Sequence, residues 1–115
     1  MASEKRTRVE IFLPVRTDTA IYQIVTDWLS EELALARGGS TLTTPFTGLY
    51  ASTNMGRGVV RDQIQILFCD FDLNADNPAH LGKLLSYLTD LRLTLMEILN
   101  EEDVWIIYPP ITRIL

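Results

Sequence analysis

The feature that most limits how this chain can fold is the way its hydrophobic spacing changes period along its length. The stretch RVEIFLPV alternates with period two, with Val9, Ile11, Leu13 and Val15 on one side and Arg8, Glu10 and Phe12 on the other, as a half-buried strand does. The period then becomes helical: after the candidate caps Thr17 and Asp18, residues Ile21, Ile24, Val25, Trp28, Leu29, Leu33 and Ala36 recur at helical spacing. Gly38 and Gly39 stop that helix, since glycine best tolerates the left-handed position after a C-terminus. TTPFTGLYAS reads as a strand whose early proline favours a sheet edge. TNMGRG is a turn, and VVRDQIQILFCDFDL is a long strand. Asn77 and Pro78 supply a cap and a first-turn proline for a helix from Ala79 to about Leu99, striped by Leu81, Leu84, Leu85, Leu88, Leu91, Leu95 and Leu99. NEED ends it, VWIIY is a last strand, and PPITRIL is a tail.

The order is β-α-β-β-α-β in one domain, residues 1–115, with residues 1–7 expected to be flexible and residues 109–115 expected to dock on the sheet or on a partner. Two helices on one face of a four-stranded antiparallel sheet is an α+β two-layer sandwich, and in this respect the chain resembles the ferredoxin-like fold along nearly its whole length. That resemblance is to an architecture that hosts many unrelated activities, so it assigns no function.

Composition narrows the functional classes. The net charge of −5 argues against nucleic-acid binding, which needs a basic face. The charge is also uneven, with seven basic and six acidic residues through Arg61, then three basic and nine acidic. An anion site is therefore expected in the first half and a cation site in the second. One cysteine, Cys69, allows no internal disulfide, and no apolar run is long enough for a signal peptide or membrane span. The expectation is a cytoplasmic protein with no cofactor and no membrane partner.

Five of the six glycines fall between residues 36 and 58, yet none opens a helix as phosphate-binding loops require. They read as punctuation, with Arg57 and Arg61 as the candidate contacts for a small anionic ligand. In CDFDLNADN, Asp70 and Asp72 lie two apart on a strand, facing one way, and are oxygen ligands suited to magnesium or calcium; the rest of a calcium loop is missing. Asn77 reads as a cap, His80 as a capping-turn residue and Cys69, beside Asp70, as a small packing residue.

Alternation assigns Ile64, Ile66 and Phe68 to the helix side of the third strand and Gln63, Gln65, Leu67, Cys69 and Phe71 to the other. The face without helices then carries Phe12, Leu67, Phe71, Trp105 and Ile107, too apolar to be left to water, so an identical sheet is expected to cover it as a homodimer. Glu10, Gln63 and Gln65 would be polar points in a cavity between the paired sheets. Three functions follow: an oligomeric, non-catalytic binding or regulatory module; a small cofactor-free enzyme with that cavity, resembling the dimeric α+β barrel proteins; and a metal-dependent nuclease using Asp70 and Asp72, against which the acidic charge argues.

Overall fold

A computed structural model describes residues 2–16, 20–51 and 58–115. Its elements are β1 (Ser3–Pro14), α1 (Ala20–Arg37), β2 (Thr41–Leu42), β3 (Phe46–Ala51), β4 (Val59–Phe71), α2 (Pro78–Leu99), β5 (Trp105–Ile107) and β6 (Pro110–Ile114). The class is α+β: two helices and, among the described residues, six antiparallel strands. The order across the sheet is β2-β4-β1-β5, with β3 also on β4 and β6 also on β1.

Six strands stand where four were expected because each edge is interrupted at a proline. Pro45, which has no N–H to give a ladder, precedes β3 and separates it from β2, and Pro109 separates β5 from β6. The tail does not lie across the sheet. It lengthens it, pairing Pro110–Ile114 with Thr7–Ser3, while Arg8 N donates to Pro109 O at 3.0 Å across the break. Residues 3–7, expected to be flexible, are thereby ordered as the first half of β1.

The helices share one face of the sheet. Val9, Ile11 and Leu13 of β1 and Leu67, Cys69 and Phe71 of β4 meet Tyr22, Val25, Leu29 and Leu33 of α1 and the α2 stripe Leu84, Leu88, Leu91, Leu95 and Leu99 in one core. This reverses the expected facing of β4. Register fixes the parity, because Val9 pairs with Cys69 and Ile11 with Leu67, and in an antiparallel pair opposite residues share a face. Leu67 and Phe71 are therefore 0% exposed and are core residues, not the interface residues expected. Ile64, Ile66 and Phe68 face away from the helices.

The buried stripe of α1 is turned by one residue from the expected one: Tyr22, Val25, Thr26 and Leu29 are inside, whereas Ile21, Ile24 and Trp28 are exposed. Tyr22 is able to turn inward because its hydroxyl donates to Gln65 Oε1 at 2.8 Å, so the buried polar end is satisfied. The caps expected at Thr17 and Asp18 lie outside the described residues; at the other helix ends the expected chemistry operates. Gly38 takes φ +94° and donates to Ala34 O, Asn77 Oδ1 accepts from Ala79 N and His80 N, and Asn100 closes α2 in the left-handed region at φ 53°.

Candidate functional site

β1 is twelve residues long, so even-numbered residues on one half of it present Arg6 and Arg8 to the open face. β6 brings Arg113 beside Glu4 in the same register, and β4 places Asp70 opposite Arg8. On the far side of β4, β2 begins at Thr41 opposite Phe68, so among the described residues no strand pairs with that side of β4 beyond Phe68. The turn after α1 passes there instead. The result is a pocket of about 470 Å³ walled by Arg6, Arg8, Arg37 and Arg113, by the Gly38–Thr41 turn, and by Phe68, Cys69 and Asp70.

Four guanidinium groups line this pocket against the single carboxylate of Asp70. Arg8 grips Asp70 with two hydrogen bonds, Nε to Oδ1 at 2.8 Å and Nη2 to Oδ2 at 3.3 Å, and its guanidinium lies 5.1 Å from the Phe68 ring centre. The grip lowers the Asp70 pKa, against a smaller upward push from burial, and raises that of Arg8. Arg6 is held by Glu4 at 3.3 Å, by Asp72 at 3.5 Å and by the Asp70 carbonyl at 3.2 Å; Arg113 shares Glu4 at 3.4 Å. Arg37 differs from the other three. It is in the last turn of α1, where the helix dipole favours a cation, and its guanidinium stacks 4.3 Å from the Phe71 ring centre and 6.0 Å from that of Tyr87. Among the described residues no carboxylate lies within ion-pair distance of it.

A second pocket of about 300 Å³ lies at the other end of the open face. Its floor is Phe12, Pro14, Ile64 and Trp105, and its rim is Asp62, Glu101 and Asp103. Asp103 accepts from Arg92 Nη2 at 2.6 Å and from Trp105 Nε1 at 3.0 Å, and the Arg92 hydrogen bond lowers its pKa. Glu101 pairs with Arg16.

Among the described residues, those expected to bind a ligand are not brought together. Arg57 lies outside the described residues, and Arg61 is exposed nine residues along β4 from Asp70, about 30 Å at strand rise. Glu10 is on the open face between Phe68 and Ile107, whereas Gln63 and Gln65 have the opposite parity. Gln65 is structural, accepting from Tyr22 and donating Nε2 to Thr43 O at 2.9 Å, and Gln63 bonds Thr47. A cavity between sheets lined by all three is therefore not the geometry of this chain. Asp70 and Asp72 do share a side, but each faces an arginine, and among the described residues no group of three or more His, Cys, Asp or Glu gathers to hold a metal. His80 Nδ1 accepts Asn74 N at 3.1 Å, closing the turn before α2. Cys69 is buried, with its pKa raised by burial and then by Asp70.

No helix of the described residues is long and apolar enough to cross a membrane. Set against protein-family models, curated proteins and solved structures, the chain gives no match.

Proposed function

We propose that the protein is a non-catalytic binding or regulatory module of ferredoxin-like arrangement that takes a small, multiply charged oxyanion in the arginine pocket. The strand order supports the arrangement: counting β2 with β3 and β5 with β6 leaves four strand positions, with β4 and β1 central and both helices on one face. The observation that carries the binding function is the concentration of four guanidinium groups in one pocket of a chain with net charge −5. Guanidinium matches phosphate and carboxylate oxygens in paired hydrogen bonds, and a side chain already stacked on aromatic rings gives up less freedom on binding. Arg37 meets both conditions and, among the described residues, has no carboxylate at ion-pair distance to displace. Asp70 occupies Arg8, Glu4 and Asp72 occupy Arg6, and Glu4 also reaches Arg113, so a ligand must outcompete these carboxylates.

Thermal unfolding with pyrophosphate and with citrate tests this and separates phosphate from carboxylate preference. A ligand at a hundredfold its dissociation constant stabilises by about 2.7 kcal/mol, a shift of several degrees at this size. The shift is expected to fall sharply in Arg37→Met and to grow in Asp70→Asn, where Arg8 is released. No shift with either anion in the wild type would remove the proposal.

A further inference from the structure

Trp105 is 63% exposed, yet its indole is held in place. Its Nε1–H donates to Asp103 Oδ2 at 3.0 Å, and Asp103 Oδ1 accepts from Arg92 Nη2 at 2.6 Å. Arg92 is anchored in turn, its Nε donating to Val104 O at 3.1 Å. This chain of hydrogen bonds orients the ring before anything binds to it. Trp105 also pairs with Phe12 across the sheet, and opposite residues of an antiparallel pair share a face, so the two rings stand side by side. With Ile64 they floor the pocket of about 300 Å³. Among the described residues no ring or guanidinium stacks on either of them.

The rim of this pocket stays acidic after its counter-charges are counted. Asp62, Glu101 and Asp103 are the charged groups of its wall. Arg16 and Arg92 lie outside the wall and pair with Glu101 and Asp103. Val15 N donates to Gln63 O, so Arg16 follows opposite Asp62, but its guanidinium is committed to Glu101. Two guanidinium groups against three carboxylates leave one negative charge over, and Asp62 is the acid that makes no ion pair among the described residues. Glu10, two residues along β1 from Phe12 on the same face, adds to that charge and does not offset it.

We propose that this pocket binds a small alkylated ammonium ion, its single positive charge spread over methyl or methylene groups. Such a cation is attracted to the negative faces of aromatic rings, most strongly to that of tryptophan, while its alkyl groups suit an apolar floor. The excess carboxylate charge at the rim balances its charge. A hard metal ion fits less well, because the floor has no oxygen to replace the water it would shed and two of the three acids are already engaged. An unalkylated ammonium is held back by its strong hydration in the same way. The volume is at the lower end of small-molecule sites, which selects a small ion. This pocket shares no residue with the arginine pocket, so the two sites can be tested apart.

Proton NMR of tetramethylammonium titrated with the protein tests the proposal, with tert-butanol as an uncharged ligand of similar shape. A cation lying over the rings is expected to show a saturable upfield shift of its methyl resonance and to bind about tenfold more tightly than tert-butanol. Trp105→Leu, which keeps the floor apolar, is expected to abolish the shift. Asp62→Asn is expected to weaken binding several-fold while melting as the wild type does. Equal binding of the two ligands would show an apolar cleft with no preference for a cation and would overturn the proposal. So would wild-type affinity in Asp62→Asn, a shift that persists in Trp105→Leu, or a wild type that gives no saturable shift.

Discussion

Replacing Phe71 with alanine should be among the most damaging single changes in this protein, and Phe68→Ala, three residues away on the same strand, should be mild. Phe71 is 0% exposed, meets the Tyr87 ring at a centroid distance of 5.8 Å and an interplanar angle of 51°, and carries the Arg37 guanidinium at 4.3 Å. Emptying a buried phenylalanine site costs about 3–5 kcal/mol, with the larger values where the surroundings cannot collapse. The walls here are sheet backbone, a second ring and a helix end, none free to fill the space. A domain of this size has a total stability of about 6–17 kcal/mol and loses roughly 4–8 °C per kcal/mol, so the melting point should drop by about 12–40 °C. Phe68 is half-buried on the open face with Arg8 against it, and its truncation should cost only about 1 kcal/mol in the monomer. Urea titration reads both as shifts in midpoint at constant slope. Dilution separates association from core packing: any extra cost of Phe68→Ala from a lost dimer fades as protein concentration falls, and that of Phe71→Ala does not. A dilute Phe68→Ala protein that is less stable than Phe71→Ala would show that β4 faces the other way, and the open face described here would not exist.

Two further outcomes follow from the titrating groups. The Asp70 carboxyl is held below its ordinary range by Arg8, so its contribution is present above the unfolded-state value near 3.8 and is lost as pH falls through the lower folded-state value. Because both side chains are more than a third exposed the effect is small, about 0.2–1 kcal/mol; urea midpoints of wild type and Asp70→Asn should differ at neutral pH and converge in acid, and a gap that widens on acidification would refute the pairing. Cys69 is 2% exposed with its thiol pushed up by burial, so a thiol reagent should label it at the rate of unfolding; labelling as fast in native buffer as in urea would contradict its place in the core.

The succession of elements was legible because period two and period 3.6 are properties of local sequence. The facing of β4 was not, because both its parities contain a run of apolar residues. Ile64, Ile66 and Phe68 compete with Leu67, Cys69 and Phe71, and the glutamines tip a simple polarity count the wrong way. The decisive signal was nevertheless present. Asp62, Asp70 and Asp72 all share the parity of Ile66, whereas the other parity carries no charge from Gln63 through Leu73. Burying a carboxylate costs far more than burying an amide that finds partners, as Gln65 does with Tyr22 and Thr43. Weighting charge above polarity turns the strand over correctly. In α1 apolar residues nearly encircle the helix, and the hydrogen bond of Tyr22 to Gln65 lets its polar end go inside.

The arginine pocket was out of reach for a different reason. Its four arginines come from the first half of β1, the end of α1 and the last strand, and no fixed spacing relates residues 6, 8, 37 and 113. Charge asymmetry pointed to the first half of the chain, where three of them lie, and only the pairing of β6 with the start of β1 adds the fourth. That pairing also means that the open face and the pocket draw on the same side chains. Arg6, Arg8 and Arg113 are each held by a carboxylate, so an oxyanion in the pocket competes with Glu4, Asp70 and Asp72 for them. Arg37 stands apart. It is stacked on Phe71 in the helix layer and, among the described residues, has no carboxylate at ion-pair distance to give up. The oxyanion therefore gains most at Arg37 and least at Arg8, whose paired hydrogen bonds to Asp70 it must first break.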